Sequence, residues 1–424
     1  MPPSPEPRFN STIPSIHDDT TLDFRIYHPD VLTRPPLGGE GTNKPWRRKG
    51  LVIAHPYAPM GGSYDDRVVR IVLDEFLKAG WIVATFNFRY ISPNNERIGA
   101  ALTQYRGAHG SKGRTSWSGR PELDDYISFA ALFMHYMSHL QPSPAPDAVF
   151  VPEQSSISPR AQSGINAVQP PAQETPIVIL GGYSYGSLIL RHLPPVPSIL
   201  APFSAPLPGS AANEILLRAR KLSDRSNLEW LNLARDLERE RRKPLRSEKL
   251  GGEETDPDKR RSSRDTRRSM DGGRSLDIGN RLRSLSHRRH DEAVFKAESA
   301  QTESLRIAIT MPEIRYLLIS PLTAPISTLL APALATKLLS RSTSSFPDVV
   351  AKHETLAVFG NQDVFSSSKR IREWIERMKG ESGLRFHGVE VNGAGHFWHE
   401  EGSESELRAA LRTWERRARE SSVV

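Results

Sequence analysis

The five residues Gly182-Tyr183-Ser184-Tyr185-Gly186 are the part of the sequence best suited to bond-making chemistry. A G-x-S-x-G string alone recurs by chance, so its surroundings decide its meaning. It follows the apolar run Ile177-Val178-Ile179-Leu180 and precedes a helix start near Ser187. A strand-to-helix turn this tight strains its central residue, and the flanking glycines remove side chains that would clash. The Ser184 hydroxyl is thereby held out at a helix N-terminus, where it could attack an acyl carbonyl. A serine hydroxyl is a poor nucleophile at neutral pH and needs a base. In Gly393-Ala394-Gly395-His396-Phe397-Trp398, two glycines suit a loop that projects a histidine. His396 can take the serine proton and later give it to the leaving group. His399 competes, but it stands beyond the glycine turn and reads as a rim residue. The imidazole in turn needs a carboxylate to fix its tautomer. Gly360-Asn361-Gln362-Asp363 follows a strand over 355–359. Asp363 is therefore placed at the carboxyl edge, where the catalytic groups of open sheets gather. Glu354 precedes that strand and points to the wrong end.

A developing oxyanion needs backbone donors. One is expected from the N–H of Tyr185, directly after the serine. The other is expected from the loop His55-Pro56-Tyr57-Ala58-Pro59-Met60-Gly61-Gly62, from Tyr57 first and Ala58 second, because Pro56 and Pro59 have no N–H to give. His55 reads as a brace of that loop in preference to a wall of the site.

These groups must be carried by regular elements. The alternating Thr21–Tyr27 reads as a half-buried strand, and 50–55 and 81–86 as further strands. The strand over 177–180 is followed by those at 316–319, 355–359 and 385–391. Helical spacing marks 68–77, 123–137, 187–193, 371–378 and 404–417, with Asp124 and Asp125 placed well against the dipole of the second helix. Strands alternating with helices predict a mostly parallel sheet covered on both faces.

The composition dilutes this core. Apolar residues make up 37% of the 424, and prolines number 34. Residues 1–19 read as a disordered polar tail, 20–139 as the first part of the core, and 140–175 as a Pro/Ser-rich insertion. The strand, turn and helix of Ser184 occupy 176–193. A second insertion spans 194–306, and the core resumes over 307–420. Within the second insertion, Leu228, Leu231, Ala234 and Leu237 lie at helical spacing in an amphipathic helix over 210–242. The segment 243–290 reads as polar, basic and disordered. Arg218–His290 holds 22 Lys/Arg against 13 Asp/Glu, so the formal charge of +8 belongs to one segment. The absence of cysteine excludes disulfides, thiolate metal sites and a cysteine nucleophile. The uncharged run 316–336 has the length of a membrane span, but Pro321, Pro325 and Pro332 argue against a regular helix there. The start of the chain has no apolar run of the signal-peptide kind, so the default location is the cytoplasm.

These residues resemble the α/β-hydrolase superfamily, and most of all its small bacterial and fungal serine hydrolases with an H-P-x-x-x-x-G-G loop. The matching pieces are His55-Pro56 through Gly61-Gly62, Asn87-Phe88-Arg89, Glu122-Leu123-Asp124-Asp125, Gly182 to Gly186, Gly360 to Asp363, and Gly395-His396-Phe397. The order Ser, Asp, His along the chain is also that of the superfamily. The resemblance implies an α/β-hydrolase fold carrying two long insertions. It implies a catalytic triad of Ser184, Asp363 and His396, and a structural ion pair of Arg89 with Asp124 or Asp125. Members are similar to esterases, lysophospholipases and acyl-peptide hydrolases. Two departures stand out. Residues 90–105 intervene before Arg106-Gly107, and the long insertion sits where related enzymes place a lid, a role open to the helix over 210–242.

The expected function is hydrolysis of a small acyl substrate, a carboxylic ester first, through an acyl-enzyme, with no cofactor and no metal. The alternatives are a non-catalytic binding protein of the same fold and a lipid- or peptide-directed hydrolase regulated by its basic insertion. Arginine-flanked serines such as those in Arg260-Arg261-Ser262-Ser263 give the basic insertion the makings of a weak contact with anionic membrane surfaces. Nucleic acid is not expected there, because aromatic residues for base stacking are nearly absent.

Overall fold

The structure, a computed structural model, describes residues 5–33, 46–89, 115–116, 118–141, 175–242, 309–334 and 349–420. The chain divides into two compact units, Met1–Ala234 with Ala308–Val424, and Arg235–Ile307. Of the second unit, only residues 235–242, the end of one helix, are described.

Among the described residues eight strands form one sheet: β1 (Phe9–Pro14), β2 (Thr21–Tyr27), β3 (Lys49–Ala54), β4 (Ile82–Phe86), β5 (Ile177–Tyr183), β6 (Glu313–Ile319), β7 (Glu354–Gly360) and β8 (Phe386–Val391). Their order is β1-β2-β4-β3-β5-β6-β7-β8. From β4 to β8 every pairing is parallel, while β1 and β2 are antiparallel additions at one edge. The composition of each strand follows its place. β4 is buried at every position, whereas β2, near the edge, alternates. This is the α/β-hydrolase sheet. The chain runs from β3 to β4 on one side and then returns to place β5 on the other side of β3. That reversal opens a crevice at the carboxyl ends of β3 and β5.

Helices cover both faces. On one lie α1 (Arg67–Lys78) and the carboxyl-terminal α6 (Ser403–Glu420). Val68, Val72 and Phe76 of α1 and Leu407, Leu411 and Trp414 of α6 share a core with Leu51, Ile179, Leu317 and Leu356 of the sheet. The Asp66 side chain caps α1 by accepting from Val68 N. On the other face lie α2 (Arg120–His139) and α5 (Ser368–Ser382). A Cβ at Gly50 would strike Phe133 of α2, and one at Gly388 would strike Ile375 of α5. Glycine on these strands therefore sets how closely the helices approach. Among the described residues no helix is long and apolar enough to cross a membrane.

The structure departs from the sequence reading in two places. The expected tail over 1–19 contains β1, paired with β2 from Phe9↔Ile26 to Pro14↔Thr21. Only Phe9 and Ile13 are buried in β1, a polarity that an edge strand tolerates. The core thus begins before residue 20. The second departure is the helix of the long insertion, α4 (Ala211–Arg242), which follows the short α3 (Tyr185–Leu190). Leu228 and Leu231 are exposed, while Ile215, Ala219, Ser223, Ser226 and Trp230 are buried. Tyr136 Oη lies 2.9 Å from Ser226 Oγ, Asn227 Nδ2 donates to His139 O, and the Trp230 ring packs on His28. These partners lie at the carboxyl end of α2 and just past β2, the edge opposite the end of β5. The middle of α4 is thus docked away from Ser184 and does not cover it as a lid. Of the expected insertion over 140–175, residues 142–174 lie outside the described residues, as do the departure at 90–105 and the basic segment 243–290.

Candidate active site

Ser184 sits between the end of β5 and the start of α3 with φ 54° and ψ −113°. A non-glycine residue holds such a conformation only where its surroundings enforce it. Ser184 N donates to Ile319 O at the end of β6, and Ser187 Oγ donates to Ser184 O. The two flanking glycines are required by contact. A Cβ at Gly182 would lie on the backbone of Gly186, and a Cβ at Gly186 would stand 2.6 Å from Ala54 O and 2.9 Å from His55 O. The second contact brings the amino end of α3 against the loop that leaves β3.

The three expected residues meet. Ser184 Oγ lies 2.8 Å from His396 Nε2, and His396 Nδ1 lies 2.7 Å from Asp363 Oδ2. Ser184 is 6% exposed and His396 4%, and the Asp363 side chain is fully buried. Asp363 Oδ1 accepts from Phe365 N at 2.8 Å and Ser366 N at 3.0 Å, which holds the carboxylate in one orientation. A carboxylate facing Nδ1 keeps the proton on that nitrogen, so Nε2 is free to accept from the serine hydroxyl. The loops bearing Asp363 and His396 are joined through their backbones. Gln362 N donates to Ala394 O, Asn361 N donates to Val391 O, and Gly393 N donates to Asn361 Oδ1. Gly360 has no room for a Cβ, which would fall on the Ala394 carbonyl.

The remaining candidates divide. The Tyr57 and Tyr185 rings touch at 5.1 Å between centroids, so the β3 loop and the serine turn adjoin as the oxyanion assignment requires. Tyr185 is the first residue of α3, where helix geometry supplies its N–H with no intrahelical acceptor. Ala58 opens a short 3₁₀ turn capped by Tyr57, in which Met60 N and Gly62 N both donate to Tyr57 O. His55 is a brace. Its Nε2 accepts from Phe88 N at 2.9 Å, which leaves Nδ1 to donate to Pro56 O at 2.6 Å. Full burial lowers its pKa to about 4, so the ring is neutral at pH 7. His399 is not part of the relay. Its Nδ1 accepts from Arg67 Nη1, and its ring stacks on Phe397. Glu354 lies at the amino end of β7, against His387. Arg89 pairs with Asp125, not with Asp124. Its Nε and Nη2 bind the two carboxylate oxygens of Asp125 at 2.9 and 2.6 Å, while Asp124 contacts His17. Arg89 also reaches Asp18 and Ser15 beyond β1, and holds the Asp18 carboxyl down at about 2 against the opposing effect of its burial.

Several contributors were not singled out from the sequence. Tyr183 Oη donates to His396 O and anchors the histidine backbone. Trp398, fully buried at φ 57°, donates its Nε1 to Ser320 Oγ, and Ser320 itself stands at φ 46°. The rings of Phe365 and Phe397 flank the imidazole at 4.7 and 5.4 Å. Adjacency to Asp363 and His396 was the only signal available for the two phenylalanines. Among the described residues no group of three or more His, Asp or Glu is placed to hold a metal ion.

No protein-family model and no curated protein sequence matches the chain. Solved structures do resemble it. An α/β serine hydrolase homologue from Coxiella burnetii is 13% identical with a TM-score of 0.39, covering 96% of each chain. The lidless α/β serine hydrolase XC6422 from Xanthomonas campestris is 13% identical with a TM-score of 0.41, covering 97% of this chain and 96% of its own. Est1E from Butyrivibrio proteoclasticus is 8% identical with a TM-score of 0.40, covering 96% and 97%. At such TM-scores these likenesses add nothing to what the sheet order and the side-chain distances carry.

Proposed function

We propose that this protein is a serine hydrolase that cleaves carboxylic esters through an acyl-enzyme. The observation that carries the reading is the unbroken chain from Ser184 Oγ through both nitrogens of His396 to Asp363, at 2.8 and 2.7 Å. Ser184 Oγ attacks the acyl carbonyl while its proton passes to His396 Nε2. The N–H groups of Tyr185 and Tyr57 receive the charge that develops on the carbonyl oxygen. The protonated imidazole, held by Asp363, then delivers its proton to the departing alkoxide. Water repeats the sequence on the acyl-serine, with the carboxylic acid as product and the serine hydroxyl restored.

Two measurements test this. A fluorophosphonate probe should label Ser184 in the wild-type protein and fail to label Ser184→Ala. The same substitution should lower turnover of p-nitrophenyl esters by about 10⁴-fold or more. A folded wild-type protein that neither labels nor turns over would show that the fold serves binding alone.

A further inference from the structure

Beside the relay stands a feature that the acyl chemistry does not use. Phe365 and Phe397, each within two residues of a relay residue, meet edge to face at 5.8 Å and 89°. Both rings also contact the imidazole of His396, at interplanar angles of 60° and 87°. Phe397 is nevertheless 47% exposed, and Val364, between Asp363 and Phe365, is 81% exposed. The row continues outward through His399, stacked on Phe397 at 6.1 Å and 20°. Arg67 Nη1 bonds His399 Nδ1 at 2.9 Å and so holds that ring against Phe397. Single exposed apolar side chains are ordinary on protein surfaces. Here, a two-ring step with an open aromatic face adjoins the group that transfers the proton.

The reaction decides which part of a substrate would meet this step. The carbonyl oxygen must face the N–H groups of Tyr185 and Tyr57, on the turn after β5 and the loop after β3. The leaving oxygen must face His396 Nε2, because the proton taken from Ser184 is delivered there. The acyl carbon lies between them, on Ser184 Oγ. A group attached to the leaving oxygen therefore projects past the imidazole, the side flanked by Phe365 and Phe397. An aromatic ring there gains burial of its apolar area and offset or edge-to-face contact with Phe397.

Resting on the hydrolase reading above, we propose that Phe365 and Phe397 form the leaving-group subsite, and that the substrates are esters whose alcohol carries an aromatic ring. The step is the one already given: the bond between acyl carbon and alcohol oxygen breaks, and the alcohol leaves with the His396 proton. No further reactant is needed.

The test varies only the alcohol. Benzyl propionate and ethyl propionate share an acyl group and release alcohols of similar acidity, while cyclohexylmethyl propionate separates size from aromaticity. Ethyl phenylacetate moves the ring to the acyl side. We expect kcat/KM for the benzyl ester to exceed that for the ethyl ester about tenfold or more, the range a well-filled apolar subsite provides. Phe397→Ala should reduce that ratio toward one, and Phe397→Leu should leave an intermediate value. Since half of the Phe397 surface is open, both variants should fold, and fluorophosphonate labelling of Ser184 monitors the relay in each. Equal kcat/KM for benzyl and ethyl esters overturns the subsite. So does a benzyl preference that survives Phe397→Ala, a cyclohexylmethyl ester cleaved as well as the benzyl ester, or a preference that follows the ring to the acyl side. Labelling of Ser184 without turnover of any of the four esters overturns the ester assignment and the subsite together. Absence of labelling and turnover alike overturns the hydrolase reading itself.

Discussion

Replacing Asp363 by asparagine changes one atom and should disable the site almost completely. Oδ1 accepts from Phe365 N and Ser366 N, while Oδ2 faces His396 Nδ1. An asparagine that keeps both backbone bonds must place its oxygen at the Oδ1 position. Its NH₂ then points at His396 Nδ1, which can only accept. The imidazole proton is driven to Nε2, and a nitrogen that carries a proton cannot take one from Ser184. Reversing the amide would restore the tautomer but set the NH₂ group against two backbone donors. Leaving each without an acceptor costs about 1–3 kcal/mol, or roughly 2–6 kcal/mol for the pair. The inactive tautomer is therefore the stable one. Turnover of a p-nitrophenyl ester should fall about 10⁴-fold, equivalent to about 5.5 kcal/mol of transition-state stabilisation. Asp363→Ala imposes no wrong tautomer, because water can accept from Nδ1–H. The asparagine variant should consequently be no more active than the alanine variant. Purified Asp363→Asn should show a thermal midpoint close to wild type, so that activity reads chemistry and not unfolding. Activity within tenfold of wild type, or more than tenfold above Asp363→Ala, would refute the tautomer reasoning.

Three further outcomes follow from contacts around the site. Gly360→Ala forces a Cβ onto the Ala394 carbonyl; it should cost about 3 kcal/mol or more and lower the thermal midpoint by roughly 6 °C, read by calorimetry. Arg89→Met leaves the fully buried Asp125 carboxylate unpaired and should destabilise by roughly 3–5 kcal/mol in urea unfolding, while Arg89→Met with Asp125→Leu should recover much of that loss. His55 has a folded pKa of about 4, below its unfolded value, so its contribution is complete above pH 6.5 and is lost as pH falls toward 4. It amounts to about 3 kcal/mol at most, and His55→Gln should show a correspondingly smaller drop in urea midpoint between pH 7 and pH 4.5 than wild type.

The meeting of Ser184, Asp363 and His396 was legible in the sequence because each follows a recognisable strand and sits among residues that only a tight turn requires. The parallel sheet was legible for a related reason. Strands buried on both faces, such as β3 to β7, are short apolar runs that no surface element imitates. What escaped depended on partners distant in sequence. β1 carries two buried residues in six, and its pairing with β2 is supplied by the backbone, which leaves no mark on composition. The docking face of α4 was misread because apolar spacing pointed to Leu228 and Leu231. Its true partner offers the Tyr136 hydroxyl and the His28 ring, and so buries Ser226 and Trp230 instead. Trp398 at positive φ was beyond pattern reading, since its indole is tied to Ser320, a partner at another strand end. The choice of Asp125 over Asp124 for Arg89 turned on one step of helical phase, about 100° around the axis, which a boundary error of a single residue obscures.

The grip of Arg89 on Ser15 and Asp18 has a practical corollary for anyone who shortens this polypeptide. A recombinant form begun at residue 20, where composition would suggest cutting, loses the strand that zips along β2. It also strips a buried guanidinium of three of its hydrogen-bonded oxygens, one from Ser15 and two from Asp18. That guanidinium belongs to the same short loop whose Phe88 amide steadies His55 behind the serine turn. Trimming an apparently dispensable leader would thus be felt at the Ser184 hydroxyl, and expression work should keep Phe9 and everything after it.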